Sequence, residues 1–150
     1  MFGWNQYNST IDQKVASFSV NLDAGSESQR QALPRLCLVT LTLLHPEETG
    51  LSNPKEDRDL FRIESMLETE IEEHLYGIYV GRITLDGERT FACYLPPDTP
   101  AKLVLTGLMA NFEAYDYDVD VRQDADWSYF EKFLYPEGEN LQRIVNRKAL

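Results

Sequence analysis

Residues 35–122 constrain the fold of this chain more than any other feature, because strand-like and helix-like apolar patterns alternate along them with short connections. Residues 36–44, LCLVTLTLL, are apolar at nearly every position, as expected for a central strand with both faces covered. After a loop with proline and glycine, apolar residues three and four positions apart predict a helix over residues 53–75. Asn53 is its expected N-cap and Pro54 its first residue.

The second half of this tract predicts a hairpin, a helix and a last strand. Residues 76–85 and 88–95 flank Asp86-Gly87, and an Asp-Gly pair between two strand-like runs suits a type I′ turn. Thr99 and Pro100 repeat the cap pattern and open a helix. Residues 115–122 alternate between aromatic or aliphatic and charged side chains, which predicts a strand with one wet face. The side chains that we expect the helix to bury are Leu103, Val104, Leu108 and Phe112.

The order β-α-β-β-α-β is typical of the ferredoxin-like split arrangement, an antiparallel sheet with both helices on one face. The sequence therefore predicts an α+β protein with a single domain over residues 1–150 and a ferredoxin-like unit over about residues 35–122. Residues 14–22 alternate between apolar and polar side chains and predict an extra N-terminal edge strand. Residues 124–150 are predicted to form a C-terminal helical extension.

The predicted helices leave one face of the sheet open, although its central strand is apolar on both sides. The aromatic segment at residues 127–136, WSYFEKFLYP, is the expected cover within the chain. Burying one large apolar side chain yields roughly 1.5–3 kcal/mol, so such a segment is not expected to stay in water. A second copy of the chain is the alternative cover, and a homodimer through an edge or the remaining face is a further expectation.

Charge and composition exclude several classes of function. The chain has 14 basic and 25 acidic side chains and a net charge of −11, which repels phosphate backbones and argues against nucleic-acid binding. No apolar run approaches the ~20 residues of a membrane helix, and no secretory signal is visible at the N-terminus. Cys37 and Cys93 fit no zinc or C-x-x-C motif, so we expect free thiols in a cytoplasmic protein.

Short motifs run along nearly the whole chain. They are Trp4-Asn-Gln-Tyr7, Gly50 and Pro54, Ile63-Glu64 with Leu67, Gly81 and Thr84, and Asp126-Trp127-Ser-Tyr129 with Leu134-Tyr135-Pro136. Together they resemble a bacterial family catalogued as a domain of unknown function. In some proteins a similar domain is joined to one that resembles regulator of ribonuclease activity B, a ferredoxin-like protein inhibitor. The resemblance implies no established activity, because neither fold nor a neighbouring domain confers function.

Glu64 falls at the inner border of the apolar stripe of the first helix, where a carboxylate needs a partner. Arg82 in the following strand is the candidate, and a partly buried ion pair is the structural interpretation. The functional alternative is a cleft between the sheet and the C-terminal segment, in which Glu64, Arg82 and Tyr94 bind a small ligand or serve an enzyme. A general base would need a second acid or a nucleophile beside it, which the sequence does not show.

Asp116, Asp118 and Asp120 alternate along the last predicted strand and could share a hard cation. Their likeness to an EF-hand loop fails further on, because Val121 replaces the turn glycine and Trp127 the bidentate glutamate. We interpret this aspartate ladder as a solvated strand face that discourages edge-to-edge pairing, with divalent-metal binding as a distant alternative. No metal ligand and no cofactor is predicted.

Asp126, Trp127 and Tyr129 are the remaining candidate binding residues. Their structural interpretation is a helix start whose aromatic side chains cap the core, with Asp124 or Asp126 accepting backbone hydrogen bonds. Their functional interpretation is a protein-binding surface, because tryptophan and tyrosine are over-represented in binding hot spots.

No catalytic motif is visible in the sequence. It contains no G-x-S-x-G, H-E-x-x-H or glycine-rich phosphate loop, and its two histidines, His45 and His74, stand at element ends. We therefore interpret the chain as a non-catalytic protein-interaction or regulatory module that binds a protein partner through its sheet edge or the Trp127 region. A small-ligand-binding protein or an enzyme is the alternative.

Overall fold

The computed structural model describes residues 2–149. The strands are β1 (Trp4–Ile11), β2 (Lys14–Asn21), β3 (Arg35–Thr42), β4 (Ile78–Leu85), β5 (Glu88–Leu95) and β6 (Tyr117–Gln123). The helices are α1 (Glu27–Ala32), α2 (Asp57–Thr69), α3 (Ala101–Met109) and α4 (Gly138–Ala149). A 3-10 turn (Pro54–Glu56) precedes α2, a π-helical turn (Glu70–His74) follows it, and a second π-helical turn (Phe130–Leu134) precedes α4. These elements form a mixed α and β structure, as predicted.

The strands form one six-stranded antiparallel sheet in the order β1-β2-β4-β5-β3-β6. β3 lies between β5 and β6, so the strand that is apolar on both sides has an interior place in the sheet. The turn between β4 and β5 passes through Asp86 and Gly87 with φ angles of 51° and 81°, as the Asp-Gly pair predicts.

Each face of the sheet carries its own apolar core. One face packs against α2 and α3, which contribute Leu60, Ile63, Leu67, Ala101, Leu105 and Met109 to the core. The opposite face packs against the C-terminal segment, through Trp127, Phe130, Leu134 and Ile144. We call these the helix face and the C-terminal face. The predicted intrachain cover of the open side is therefore present.

The N-terminal region differs from the prediction in two ways. Residues 14–22 do form a strand, β2, but it is not the edge, because β1 pairs along its outer side. The alternation in β1, WNQYNSTI, is mostly between polar residues, so it gives little hydrophobic signal. The predicted loop after β2 contains α1, which begins with a capping box between Ser26 and Gln29 and buries no side chain.

The second long helix buries a different stripe from the predicted one. Leu103 is 79% exposed, and Ala101, Leu105 and Met109 are the buried residues of α3. Leu108 and Phe112 pack against the edge of the core. The Thr99 hydroxyl donates a hydrogen bond to the Pro96 carbonyl at 2.8 Å, and no side chain caps the helix start. The predicted cap at Thr99 is therefore wrong.

Candidate functional site

A polar groove lies on the helix face, between α2 and the β1–β2 hairpin. It consists of two adjoining cavities of about 340 and 370 Å³ that share Ser19, Phe61, Glu64 and Arg82. We call it the α2 groove. Its further lining residues are Trp4, Gln6, Ser17, Ser52, Asp57, Ser65, Glu68, Tyr79 and Arg89.

The centre of the groove is the ion pair between Glu64 and Arg82 that the helix pattern predicts. Arg82 Nη1 donates to Glu64 Oε1 at 2.5 Å, and the Tyr79 hydroxyl donates to Glu64 Oε2 at 2.6 Å. The side chains of Arg82 and Glu64 are 23% and 16% exposed. Burial, and then the charge of Glu64, raise the pKa of Tyr79, so this hydroxyl keeps its proton and stays a donor. Both oxygens of Glu64 are thus occupied by donors.

Arg89 is a second arginine of the groove, which the sequence analysis did not single out. It is 8% exposed, and its Nε donates to Thr84 Oγ1 at 2.8 Å while its Nη2 donates to Ser52 Oγ at 3.1 Å. Burial and the neighbouring charge of Arg82 lower the pKa of Arg89. Arg89 therefore lies among hydroxyl groups, and no carboxylate within residues 2–149 forms an ion pair with it.

Tyr94 lies on the other side of the sheet. It is fully buried on the C-terminal face, its ring stacks on Trp127 with centroids 3.9 Å apart, and its hydroxyl donates to Asp124 Oδ2 at 2.6 Å. Around Tyr94, the space between the sheet and the C-terminal segment is filled by these side chains. The predicted cleft that joins Glu64, Arg82 and Tyr94 is therefore wrong, and the groove that holds Glu64 and Arg82 opens on the opposite face.

The candidate residues near Trp127 have different environments. Trp127 has no exposed surface, and its Nε1 donates to the Leu33 carbonyl at 2.9 Å. Asp124 accepts hydrogen bonds from the Ser128 and Tyr129 amides, each at 3.0 Å, and so caps the following turn. Asp126 is exposed, and Tyr129 is half-buried with a pKa raised to about 12 by burial. Core packing is thus the role of Trp127.

The aspartate ladder lies along an edge of the sheet. Asp116 precedes β6, Asp118 is exposed, and Asp120 accepts a hydrogen bond from Arg122 Nε at 3.0 Å. Val119, between them, is buried on the opposite side of the strand. Within residues 2–149, no group of three or more histidine, cysteine or acidic side chains is arranged to hold a metal ion.

Glu56 is a buried carboxylate that the sequence analysis did not single out. It is 1% exposed and accepts hydrogen bonds from the Leu44 amide at 3.0 Å, the His45 amide at 2.7 Å and the Tyr115 hydroxyl at 2.7 Å. Burial alone would raise the pKa of Glu56, but these three donors outweigh it and hold the pKa below its ordinary value. Glu56 therefore ties the loop after β3 to the segment before β6.

The two edge strands of the sheet differ in charge. β1 forms one edge, and its eight residues include no charged side chain. β6 forms the other edge and carries Asp118, Asp120 and Arg122. Charged side chains on an edge strand discourage pairing with another chain. β1 is therefore the edge that no charged side chain of its own protects from strand addition.

The β1–β2 hairpin decides which backbone groups of β1 face outward. It turns through Asp12 and Gln13, whose φ angles are 49° and 68°, and Ile11 pairs with Lys14. In a two-residue hairpin, the residues beside the turn exchange hydrogen bonds, and so does every second pair after them. The amides and carbonyls of the intervening β1 residues point away from β2. These residues are Trp4, Gln6, Asn8 and Thr10.

A cleft of about 430 Å³ lies along this edge, between β1 and α4. We call it the β1–α4 cleft. From α4 it is lined by Arg143, Arg147 and Asn146, and by Asn140, whose side chain donates to the outward carbonyl of Asn8 at 3.1 Å. Arg143 lies 3.4 Å from the exposed carboxylate of Glu139, and Arg147 makes no ion pair to any described residue. The cleft thus joins an open strand edge to two arginines.

Comparison with known protein families identifies the family of the chain. A family model described as "Family of unknown function (DUF695)" matches residues 3–135. The chain belongs to this family. The α2 groove lies inside the matched region, whereas α4 lies beyond it. Neither curated proteins nor solved structures gave a match. The family match carries no link to regulator of ribonuclease activity B, so that association stays a prediction.

None of the helices in residues 2–149 is long and apolar enough to cross a membrane.

Proposed function

We propose that this chain is a non-catalytic interaction module that binds an extended, acidic segment of a partner protein along the β1 edge. The observation that carries this proposal is the uncharged edge strand with its outward backbone groups, bordered by the arginines of α4. Partner chains add to such edges through main-chain hydrogen bonds, and neighbouring pockets select their side chains.

The backbone of β1 supplies the affinity in this proposal. Apart from the Asn8 carbonyl, which Asn140 occupies, no described protein group bonds the outward amides and carbonyls of β1. An added strand would satisfy them in a regular ladder, and it would displace the single Asn140 contact. The opposite edge, β6, is protected by its charges and is not the binding edge.

In this proposal, the two arginines of α4 provide selectivity for an acidic segment. The chain as a whole carries −11, so an acidic partner is repelled from most of its surface. Arg143 and Arg147 make the β1–α4 cleft a local exception. Electrostatic complementarity of this kind steers the encounter and sets the register more than it adds affinity. An extended segment with glutamate or aspartate at alternate positions suits this surface best.

The fold is compatible with a binding role. We take β3 to β6 with α2 and α3 as a ferredoxin-like unit, because its strands lie in the order β4-β5-β3-β6 and both helices pack on one face. The β1–β2 hairpin then extends this unit and moves the edge away from it. We also take the protein as cytoplasmic, because its two cysteines are buried free thiols.

A proline substitution tests the edge directly. Gln6→Pro removes an outward amide that β2 does not use, so the β1–β2 ladder is kept while the added strand loses a hydrogen bond. Gln6→Ala keeps that amide and is the matched control. Fluorescence anisotropy with an eight-residue peptide of alternating valine and glutamate should show binding by the wild type and by Gln6→Ala. We expect Gln6→Pro to weaken this binding about tenfold, the equivalent of ~1.4 kcal/mol.

Two further arms decide the charge argument. A matched peptide of alternating valine and lysine should bind less tightly than the acidic one, and Arg147→Glu should reduce this preference. The proposal fails if Gln6→Pro binds the acidic peptide as the wild type does, or if both peptides bind equally. A homodimer is the alternative, in which β1 of a second copy occupies the edge. Light scattering on the free protein tests it, since a dimer that Gln6→Pro abolishes would mean that the β1 strands of two copies pair.

A further inference from the structure

We propose that the α2 groove is a binding site for a small polar molecule with one oxyanion group, either a carboxylate or a phosphate, which Arg89 and Arg82 hold. This inference is independent of the β1 edge. It rests on a buried arginine to which no carboxylate of the described part of the chain is bonded. Arginine is almost never fully buried unless it is paired, because removing its charge from water costs free energy.

One guanidinium nitrogen of Arg89 is left for a ligand. Its Nε and Nη2 are bonded to Thr84 and Ser52, but its Nη1 bonds no described residue. No enclosed side-chain nitrogen of residues 2–149 lacks a hydrogen-bond partner, so Nη1 is not enclosed, and Arg89 is a lining residue of the cavity of about 370 Å³. Thr84 and Ser52 therefore fix the guanidinium and leave one nitrogen with two donors for a ligand. Guanidinium groups bind carboxylate and phosphate through such donors.

The second arginine adds to this preference for an anion. Arg82 lines the same cavity and is bonded to Glu64. Of the two neighbouring arginines, Arg82 and Arg89, only Arg82 therefore has a bonded carboxylate. Burial, and then the charge of Arg82, lower the pKa of Arg89 and so impose a penalty on its charged form, which Glu64 and Asp57 offset only in part. An oxyanion beside Arg89 would remove this penalty. The hydroxyls of Ser17 and Ser19 line the same cavity and can donate further hydrogen bonds.

The remaining lining limits the ligand to a small one. Two carboxylates, Glu64 and Asp57, line this cavity of about 370 Å³ together with the two arginines, although neither bonds Arg89, so a polyanion is not favoured. The volume lies within the roughly 300–1,000 Å³ of small-molecule sites. The adjoining cavity holds a further carboxylate, Glu68, so the oxyanion belongs beside Arg89 and not there. Trp4, 43% exposed, and Phe61, 68% exposed, offer that cavity an apolar surface for the body of such a ligand.

Titration followed by amide NMR spectra tests this site. Acetate and inorganic phosphate, added separately at constant ionic strength, distinguish the two kinds of oxyanion. We expect one of them to cause saturating shifts confined to the amides around Ser19, Ser52, Glu64, Arg82 and Arg89. Arg89→Met, which keeps the length of the buried stem, should weaken this binding at least about tenfold. Arg122→Gln, on the distant β6 edge, is the matched control and should bind as the wild type does.

If Arg89→Met does not fold, the location of the amide shifts on the wild-type protein still tests the proposal. Shifts that scatter over the surface, or that rise linearly without saturation for both anions, would overturn it. Ser52→Ala provides a second variant, because it releases Nη2 without removing a charge. It should weaken the binding less than Arg89→Met does, and equal binding by Arg89→Met and the wild type would also overturn the proposal.

Discussion

The two faces of the sheet are completed in different ways. On the C-terminal face, Trp127, Phe130 and Leu134 are each at most 1% exposed and fill the space against Tyr94. On the helix face, α2 and α3 bury an apolar core, but beside the β1–β2 hairpin the surface is a groove lined by charged and hydroxyl groups. Apolar burial stabilises the fold, whereas buried charge costs stability. Apolar packing therefore does not account for the charged residues of the groove, which is why we propose a binding site there.

The largest effect is expected from a substitution in the core of the C-terminal face. Trp127→Ala should lower the free energy of unfolding by about 3–5 kcal/mol, as truncations of large buried aromatic side chains do. It removes the stacking on Tyr94 and the hydrogen bond to the Leu33 carbonyl. Denaturant unfolding measures this loss. Trp4→Ala, on the helix face, is the matched comparison. It should lower the free energy of unfolding by about 1 kcal/mol, because Trp4 is 43% exposed. A similar loss for both variants would contradict the distinction between the faces.

Much of this architecture follows from hydrophobic periodicity. The strand at residues 36–44 and the α2 stripe were predictable because each buries an apolar pattern, and the turn between β4 and β5 was predictable from its Asp-Gly pair. β1 and α1 were not, because β1 alternates mainly polar residues and α1 buries none. In α3 the buried stripe begins at Ala101, whose small side chain gives a weaker signal than the exposed Leu103.

The register of one hairpin explains what the sequence analysis missed at the site. Pairing through the Asp86-Gly87 turn sets Arg82 opposite Phe91 and Thr84 opposite Arg89. Side chains alternate between faces along a strand, so Arg89 shares a face with Arg82, whereas Tyr94 does not. The turn could therefore have identified Arg89 and excluded Tyr94. The Ser52 contact could not be foreseen, because it comes from the irregular loop before α2.

The second effect concerns Glu56, beneath the helix face. Glu56→Gln replaces an acceptor of three hydrogen bonds with an amide and should cost about 1–3 kcal/mol at pH 7. The pKa of Glu56 is lower in the folded state than its ordinary 4.5, so its contribution is present above that value. It is lost as the pH falls through the lowered pKa. Unfolding measured from pH 7 down to 3 should show the two proteins converging below about pH 4.5. A difference independent of pH would contradict this role.

The third effect concerns the ion pair between Glu64 and Arg82 in the α2 groove. Glu64→Gln removes the charge opposite Arg82 and should cost about 1–2 kcal/mol, because the pair is only partly exposed. A double-mutant cycle with Arg82→Gln should give a coupling energy of at least about 0.5 kcal/mol. Added salt should reduce this coupling only slightly, since side chains that are 16% and 23% exposed are poorly screened. A coupling near zero would mean that the groove holds two independent charges.

The smallest effect is expected at the β6 edge, on the aspartate ladder. Asp118 is exposed, and Asp118→Asn removes a like charge between Asp116 and Asp120. Surface changes of this kind usually stay within about ±0.5 kcal/mol, so we expect no loss and a slight gain at low salt. Millimolar calcium should leave the melting temperature unchanged, because a cation bound by the folded state alone would stabilise it by mass action. A rise of several degrees that Asp118→Asn abolishes would make the ladder a metal site. The charged edge would then be a functional surface in its own right, and protection from strand addition would no longer explain it.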